Sequence, residues 1–302
     1  MQGLPLELKI KKTVRRIEEY YQYHDGLVYA AVSGGLDSTA LADIIKRTGL
    51  NIPLTFCNTG VENPKILKFA LSLATVVVRP EHSYFWVSKN YGYPVISKAV
   101  SIAISRYRTA KDDVQRNLRL HGGINPSSGK MQKMGTIPKK YHYMIDAPFK
   151  ISDKCCDILK KNPMKKYSKE TGRSVITGEL AADSNARKMR YLKTGCNFYG
   201  ASHKSTPMGF WTDQDVLTYL SIFRVPYCRE YYGNIEYNPK TDKLFTTKEK
   251  HSGCFGCMLG VNLEDPDDNR YTRMKVSDPL QYDICINKWG QGKILDFMGI
   301  KY

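Results

Sequence analysis

The sequence predicts an α/β fold in which a parallel sheet carries helices on both faces. Three observations predict it: short apolar runs bounded by turn residues, amphipathic stretches of helical period, and a regular alternation of the two over residues 1–80. Leu8, Ile10, Val14, Ile17 and Tyr21 recur near helical spacing with Lys11, Lys12, Arg15 and Arg16 between them, which predicts a first helix ending at Asp25-Gly26. "LVYAAV" (27–32) then reads as a short buried strand, and residues 37–47 return to helical period through Leu41, Ile44 and Ile45. "IPLTFCNTG" (52–60) is expected as a second strand with its loop, "NPKILKFALSLA" as a helix and "TVVVRP" as a third strand. "RSVITGEL" (173–180) is expected to add a strand late in the same sheet.

Between about 104 and 150 the texture changes to weak periodicity with many turn formers and interleaved Arg, Lys, Tyr and His. Over residues 101–150, ten Lys and Arg stand against three Asp, a net +7, so this stretch reads as a basic, partly helical insertion. The division expected is an α/β domain over 1–205 and a C-terminal region over 206–302.

The chain has 302 residues, 42% of them hydrophobic, enough for a sizeable core and against disorder. Its formal charge of +17 is not needed for folding and points to a polyanionic partner, nucleic acid before all; a merely soluble basic surface is the alternative. "MQGLPLELKIKKTVRRIEEY" has no signal-peptide pattern and no stretch approaches a membrane span, so no membrane role and a cytoplasmic location are expected. In that compartment eight cysteines read as thiols and metal ligands rather than disulfides.

The stretch "SGGLDS" (33–38) is the sharpest local signal. Gly34 and Gly35 let the backbone approach a ligand, and the amides opening the next helix face an anion. Ser33 and Ser38 add hydroxyls, and Asp37 fits beside phosphate if magnesium lies between them. The Gly-Lys-Ser/Thr ending of a Walker loop and the G-x-G-x-x-G spacing are both missing, and an ordinary serine-capped turn is the plainer reading. A second constellation pairs adjacent Cys155 and Cys156 with Cys254 and Cys257 at C-x-x-C spacing. Zinc or buried apolar thiols would suit such residues too.

"SGGLDS" resembles the PP-loop of the ATP pyrophosphatase family, whose S-G-G-x-D-S signature it reproduces. The resemblance implies a loop, Ser33, Gly34, Gly35, Leu36, Asp37 and Ser38, that grips the β/γ-pyrophosphate of ATP, with Asp37 and Ser38 catalytic. Tandem Cys-Cys followed at long range by C-x-x-C is similar to assimilatory adenylylsulfate reductases, in the PAPS reductase branch of the same superfamily, and to DNA phosphorothioation sulfur-transfer enzymes. It implies a 4Fe–4S cluster on Cys155, Cys156, Cys254 and Cys257, in a PP-loop fold with a small C-terminal iron–sulfur region. "CNTGVENP" and "VITGELAADSNARKMRY" look like the family's other nucleotide-facing loops, which implies roles for Asn58, Thr59, Gly60 and Glu62, and for Gly178, Asp183, Ser184 and Arg187. "KSTPMGFWTDQDVLTYL" resembles the segment that follows, with Asp215 opening a helix and Trp211 expected in the core.

Two departures shape the functional expectation. Sulfonucleotide reductases resembling this chain usually lack the full ATP-type loop, and they attack with a cysteine in an E-C-G-L-H-like C-terminal motif; no cysteine follows Cys285 here. The expectation is therefore ATP-dependent adenylation of an acceptor, tRNA or DNA, followed by sulfur transfer with a possible sulfur-donor protein. Sulfonucleotide reduction is the alternative, and a non-catalytic cluster-bearing regulator or partner subunit is a third. Cys57, Cys196 and Cys228 carry no motif and are expected as buried thiols, while Tyr107, Tyr141, Tyr143 and "KKNPMKKYSK" (160–169) are candidate nucleic-acid contacts.

Overall fold

The computed structural model describes residues 1–125, 128–132 and 135–302, so four positions of the basic insertion lie outside the described residues. The chain runs through α1 (Leu6–Tyr23), β1 (Val28–Val32), α2 (Leu36–Thr48), β2 (Leu54–Cys57), α3 (Pro64–Leu73) and β3 (Val76–Val78). It continues through α4 (Tyr84–Tyr91), α5 (Lys98–Arg108), α6 (Asp113–His121) and the short hairpin of β4 (Gly123–Ile124) and β5 (Met131–Gln132). A 3-10 stretch over Lys139–Asp146 precedes α7 (Lys154–Cys156), a π turn over Asp157–Lys161 and α8 (Asn162–Thr171). Then come β6 (Ser174–Thr177), α9 (Asn185–Thr194), β7 (Asn197–Phe198), β8 (Lys204–Ser205), α10 (Asp213–Ile222), α11 (Arg229–Tyr232), β9 (Ile235–Asn238) and β10 (Lys243–Thr246). The chain closes with α12 (Arg270–Ser277), α13 (Pro279–Asp283), a π turn over Ile284–Lys288 and α14 (Gln291–Phe297). Among the described residues no helix is long and apolar enough to cross a membrane.

These elements form two compact units that interleave along the chain. Unit 1 holds Met1–Asn58, Glu62–Arg79 and Pro163–Gly253; unit 2 holds Thr59–Val61, Pro80–Asn162 and Cys254–Tyr302. Contacts therefore do not part near residue 205, where the sequence reading divides the chain. The reason is apolar: Val216, Tyr219 and Leu220 of α10 bury in the same core as Leu41 and Ile44 of α2.

Unit 1 is built on a six-stranded sheet in the order β3-β2-β1-β6-β8-β7, parallel except for β7 against β8. The expected strands are all present, and β1 lies between β2 and β6, with Ala30 opposite both Leu54 and Ile176. β1 and β2 read as near-continuous apolar runs because helices cover the sheet. Trp211 is fully buried, as expected, and its indole Nε1 donates to Thr13 Oγ1 at 2.9 Å. Asp215 serves structure: its carboxylate accepts from the Thr212 amide at 2.7 Å and from the buried Lys9 ammonium at 2.6 Å.

Unit 2 packs α5, α12, α14 and the Lys139–Asp146 stretch around Val95, Ile104, Met144, Met258, Tyr271 and Leu295. Its basic residues are not all available to a partner. The Arg108 guanidinium donates to four carbonyl oxygens, those of Ile145 (2.8 Å), Phe149 (2.6 Å), Met144 (3.0 Å) and Ala147 (2.8 Å). Arg108→Met is expected to cost about 2–4 kcal/mol in denaturant unfolding, because these carbonyls lose a charged donor. Arg106→Met, at an exposed position of the same helix, is expected to stay within about 0.5 kcal/mol. Of the tyrosines proposed for bases, Tyr107 and Tyr141 pack against this core, and only Tyr143 is well exposed.

Candidate functional site

In unit 1 the sheet order reverses at β1: the chain steps outward through β2 and β3, and returns on the other side as β6. In open parallel sheets, ligands occupy the crevice outside the carboxyl ends of the strands at such a switch point. The loop after β1 is Ser33–Gly35 and the loop after β6 begins at Gly178, so both candidate segments lie there.

Gly34 has φ +74°, and a Cβ on it would stand 3.1 Å from both the Ile66 carbonyl oxygen and Ile66 Cγ2. Gly35 is the N-cap of α2 and has no side chain to spend on the first-turn amides, which are thus free to meet an anion. Ser38 closes the loop: its Oγ accepts from the Ser33 amide at 3.1 Å, donates to the Gly35 carbonyl at 2.9 Å and lies 3.2 Å from Ser33 Oγ. Leu36 packs with Ile66, Cys228 and Tyr232 in a small apolar cluster that seats the first turn of α2.

Gly178 brings the second segment onto the first. A Cβ there would stand 3.0 Å from the Asp37 carbonyl oxygen, so any side chain would have to push the Asp37 backbone aside. Ser184 caps α9 by accepting from the Arg187 amide at 3.3 Å, and the Arg187 guanidinium pairs with Asp183. Burial, with Asp183 and Asp213 nearby, pushes the Asp37 carboxyl up to about 7, and Arg187 offsets part of this. Asn58 follows β2 in unit 1, its amide bonded to the Val78 carbonyl at 2.9 Å, and Glu62 belongs to the same unit. Thr59 and Gly60 are counted with unit 2.

All four candidate cysteines fall in unit 2. Cys155 and Cys156 end the one-turn α7 where it passes into the π turn, a helix irregularity common at functional sites. The Cys155 thiol is pushed up by its hydrogen bond to Cys156, by burial and by the other three cysteines, including Cys257 and Cys254. Cys156 is held low by that bond and by Lys98, Lys160 and Lys161. Opposite them, the Cys257 amide bonds the Cys254 carbonyl at 3.3 Å, and Gly256, at φ +65°, leaves room for Cys285, whose Sγ would stand 2.4 Å from a Cβ there. The loop is pinned by Arg270 Nη1 on the Cys257 carbonyl (2.7 Å) and by the Tyr271 hydroxyl (3.0 Å) and Gln291 amide (2.8 Å) on the Gly256 carbonyl. Val61, Tyr84, Val87, Leu159, Phe255 and Trp289 wrap Cys155, Cys156 and Cys254 in apolar surface. Among the described residues no group of three or more His, Cys, Asp or Glu closes around a single-ion position.

The profile of the phosphoadenosine phosphosulfate reductase domain family matches residues 71–237, more than half of the chain. The chain belongs to that family. The match begins beyond Ser33–Ser38 and ends before the C-x-x-C pair, so both flanking motifs stand on their own residues. Among solved structures this family member is similar to the crystal structure of phosphoadenylyl-sulfate (PAPS) reductase from Candida auris, phosphate complex, at 16% identity and a TM-score of 0.38. That likeness covers 68% of this chain and 76% of that chain. A comparison with curated proteins finds no match.

Two residues around the loop of this PAPS reductase-family chain escaped the sequence reading. Ser252 Oγ lies 2.9 Å from where a Gly35 Cβ would be, and the Tyr232 hydroxyl 3.8 Å from it. Neither carries a local motif; only folding brings them to the loop. Beside Gly178, burial works to raise the Glu179 carboxyl, but Lys204 at 2.6 Å, with Arg187 and Arg190, outweighs it and holds the net value low. A lowered carboxyl stabilises the fold above its unfolded pKa and loses that contribution as pH falls through the folded one. The melting temperature is therefore expected to fall as pH drops from about 5 to about 3, with a shallower fall in Lys204→Gln.

Proposed function

We propose that this PAPS reductase-family protein is an ATP pyrophosphatase that adenylates a nucleic-acid acceptor, tRNA or DNA, for replacement of an acceptor oxygen by sulfur. The observation that carries the reading is the complete Ser33–Ser38 loop at the sheet's switch point, with Gly35 leaving the α2 amides unspent. Those amides and the Ser33 hydroxyl would hold the β/γ-phosphates, and Asp37 would organise a magnesium ion that spreads the phosphate charge. The acceptor oxygen attacks the α-phosphorus, the bond to the β-phosphate oxygen breaks, and pyrophosphate leaves. A sulfide-level sulfur then forms the new bond to the acceptor atom while AMP departs with the former acceptor oxygen and the thiol proton goes to solvent. No net oxidation occurs.

The four-cysteine region supports a 4Fe–4S cluster: soft thiolate donors, an apolar wrap and three lysines that offset negative charge fit such a group. Cys155, Cys156, Cys254 and Cys257 would hold the cluster, which when bound would supply a soft, polarisable site for sulfur. The charge of +17 supports a polyanionic acceptor.

Family membership equally favours a second reading, reduction of a sulfonucleotide. Against it, Cys285 is fully buried and its thiol is pushed up to about 12, unsuited to attack on sulfur. Pyrophosphate release from ATP, with and without tRNA or single-stranded DNA, tests the first reading. Sulfite release from PAPS or adenylylsulfate without ATP, with no pyrophosphate from ATP, would replace it by the second.

A further inference from the structure

α4 in unit 2 has two unlike faces. Tyr84, Val87 and Ser88 are buried, whereas Phe85, Trp86 and Tyr91 are 48%, 38% and 45% exposed. Exposed aromatic residues scattered singly are ordinary, but three on one helix of eight residues are a concentration. They are also ordered. The His82 ring stacks on Trp86 at 3.7 Å and 11°, Tyr91 stands 6.0 Å from Trp86 at 60°, and the Lys89 ammonium lies 6.0 Å from the Phe85 ring. Ser83 fixes the start of the helix by accepting from the Trp86 amide at 3.3 Å.

We infer that this face, His82, Phe85, Trp86 and Tyr91, is a stacking platform for unpaired bases of the acceptor strand, an inference that rests on the nucleic-acid reading above. His82 places a flat heteroaromatic ring on Trp86 in the geometry a nucleobase would take. Cations flank the array: Lys89 on the helix, 6.0 Å from the Phe85 ring, and exposed Lys150, bonded to the Asn90 carbonyl at 3.2 Å. The acid next to the array is exposed Glu81, which precedes His82. Aromatic faces within cations suit a single strand, whose bases offer both stacking surface and phosphate, over a duplex, which hides its base faces. The inner face of the same helix packs through Tyr84 and Val87 with Cys155, so a base on the platform lies about 10 Å, one helix diameter, from the thiol site.

The test uses the full chain, an unstructured oligoribonucleotide, an unstructured oligodeoxynucleotide and a duplex, at low and at physiological salt. Wild type is expected to bind the single strands better than the duplex, with quenching of indole fluorescence that Trp86→Phe largely removes, since Trp211 is buried and Trp289 is covered by Tyr84 and Phe255. Trp86→Ala and Phe85→Ala are each expected to weaken single-strand binding about 10-fold with unchanged melting temperature, Trp86→Phe much less, and Lys89→Gln chiefly to flatten the salt dependence. If wild type binds no nucleic acid at low salt, the acceptor reading fails and the platform with it. If wild type binds but both alanine variants bind equally well, or the duplex binds as tightly, the platform alone is overturned.

Discussion

Asp37→Asn is expected to lower ATP-dependent pyrophosphate release by about 10²–10³-fold while leaving the melting temperature unchanged or slightly raised. The two directions separate function from structure. Asp37 is buried beside Asp183 and Asp213, so removing its charge relieves repulsion in the folded state. What is lost is the group that would organise magnesium at the departing pyrophosphate. Gly34→Ala is expected to fail for another reason, since it forces a side chain into a left-handed backbone against the Ile66 carbonyl at 3.1 Å. It should lower both activity and stability. Wild-type turnover in Asp37→Asn would remove the catalytic reading of the loop.

The second large effect concerns the thiols. Anaerobically prepared Cys155→Ser and Cys257→Ser are each expected to lose iron, labile sulfide and the charge-transfer absorption together, from about four irons per chain to near none. Cys196→Ser is the control, because Cys196 is buried in the unit 1 core and is expected to leave the iron content intact. Stoichiometric zinc without sulfide would assign the site to a single ion. Iron retained in both variants would dissociate it from these cysteines.

The strands of unit 1 were legible because their apolar runs are bounded by turn residues within a few positions, and β2 spans only Leu54–Cys57. The loop was legible for the same reason: all its chemistry lies within Ser33–Ser38. The short β7–β8 pairing was not, because two-residue strands leave no period to read. Nor was the use of Arg108, whose four carbonyl partners lie 36 to 41 residues away. Asp215 was legible as the opening of a helix, but its pairing with the buried Lys9 was not, because Lys9 lies 206 residues away. Tyr232, Ser252, Tyr271 and Gln291 belong to the surroundings of the two motifs without any signal of their own.

By itself the sequence determined the strand–turn–helix around Ser33–Ser38 and the two close pairs of cysteines, 155/156 and 254/257. Neighbours along a chain are held at fixed reach by covalent geometry, so their chemistry can be read without the fold. Only the tertiary structure decided which distant segments join which core: residues 163–253 return to the first unit, while 254–302 close onto 80–162 and bring both cysteine pairs into the second. Burial of apolar surface makes that choice. It is non-directional and blind to sequence separation, so no local pattern records it.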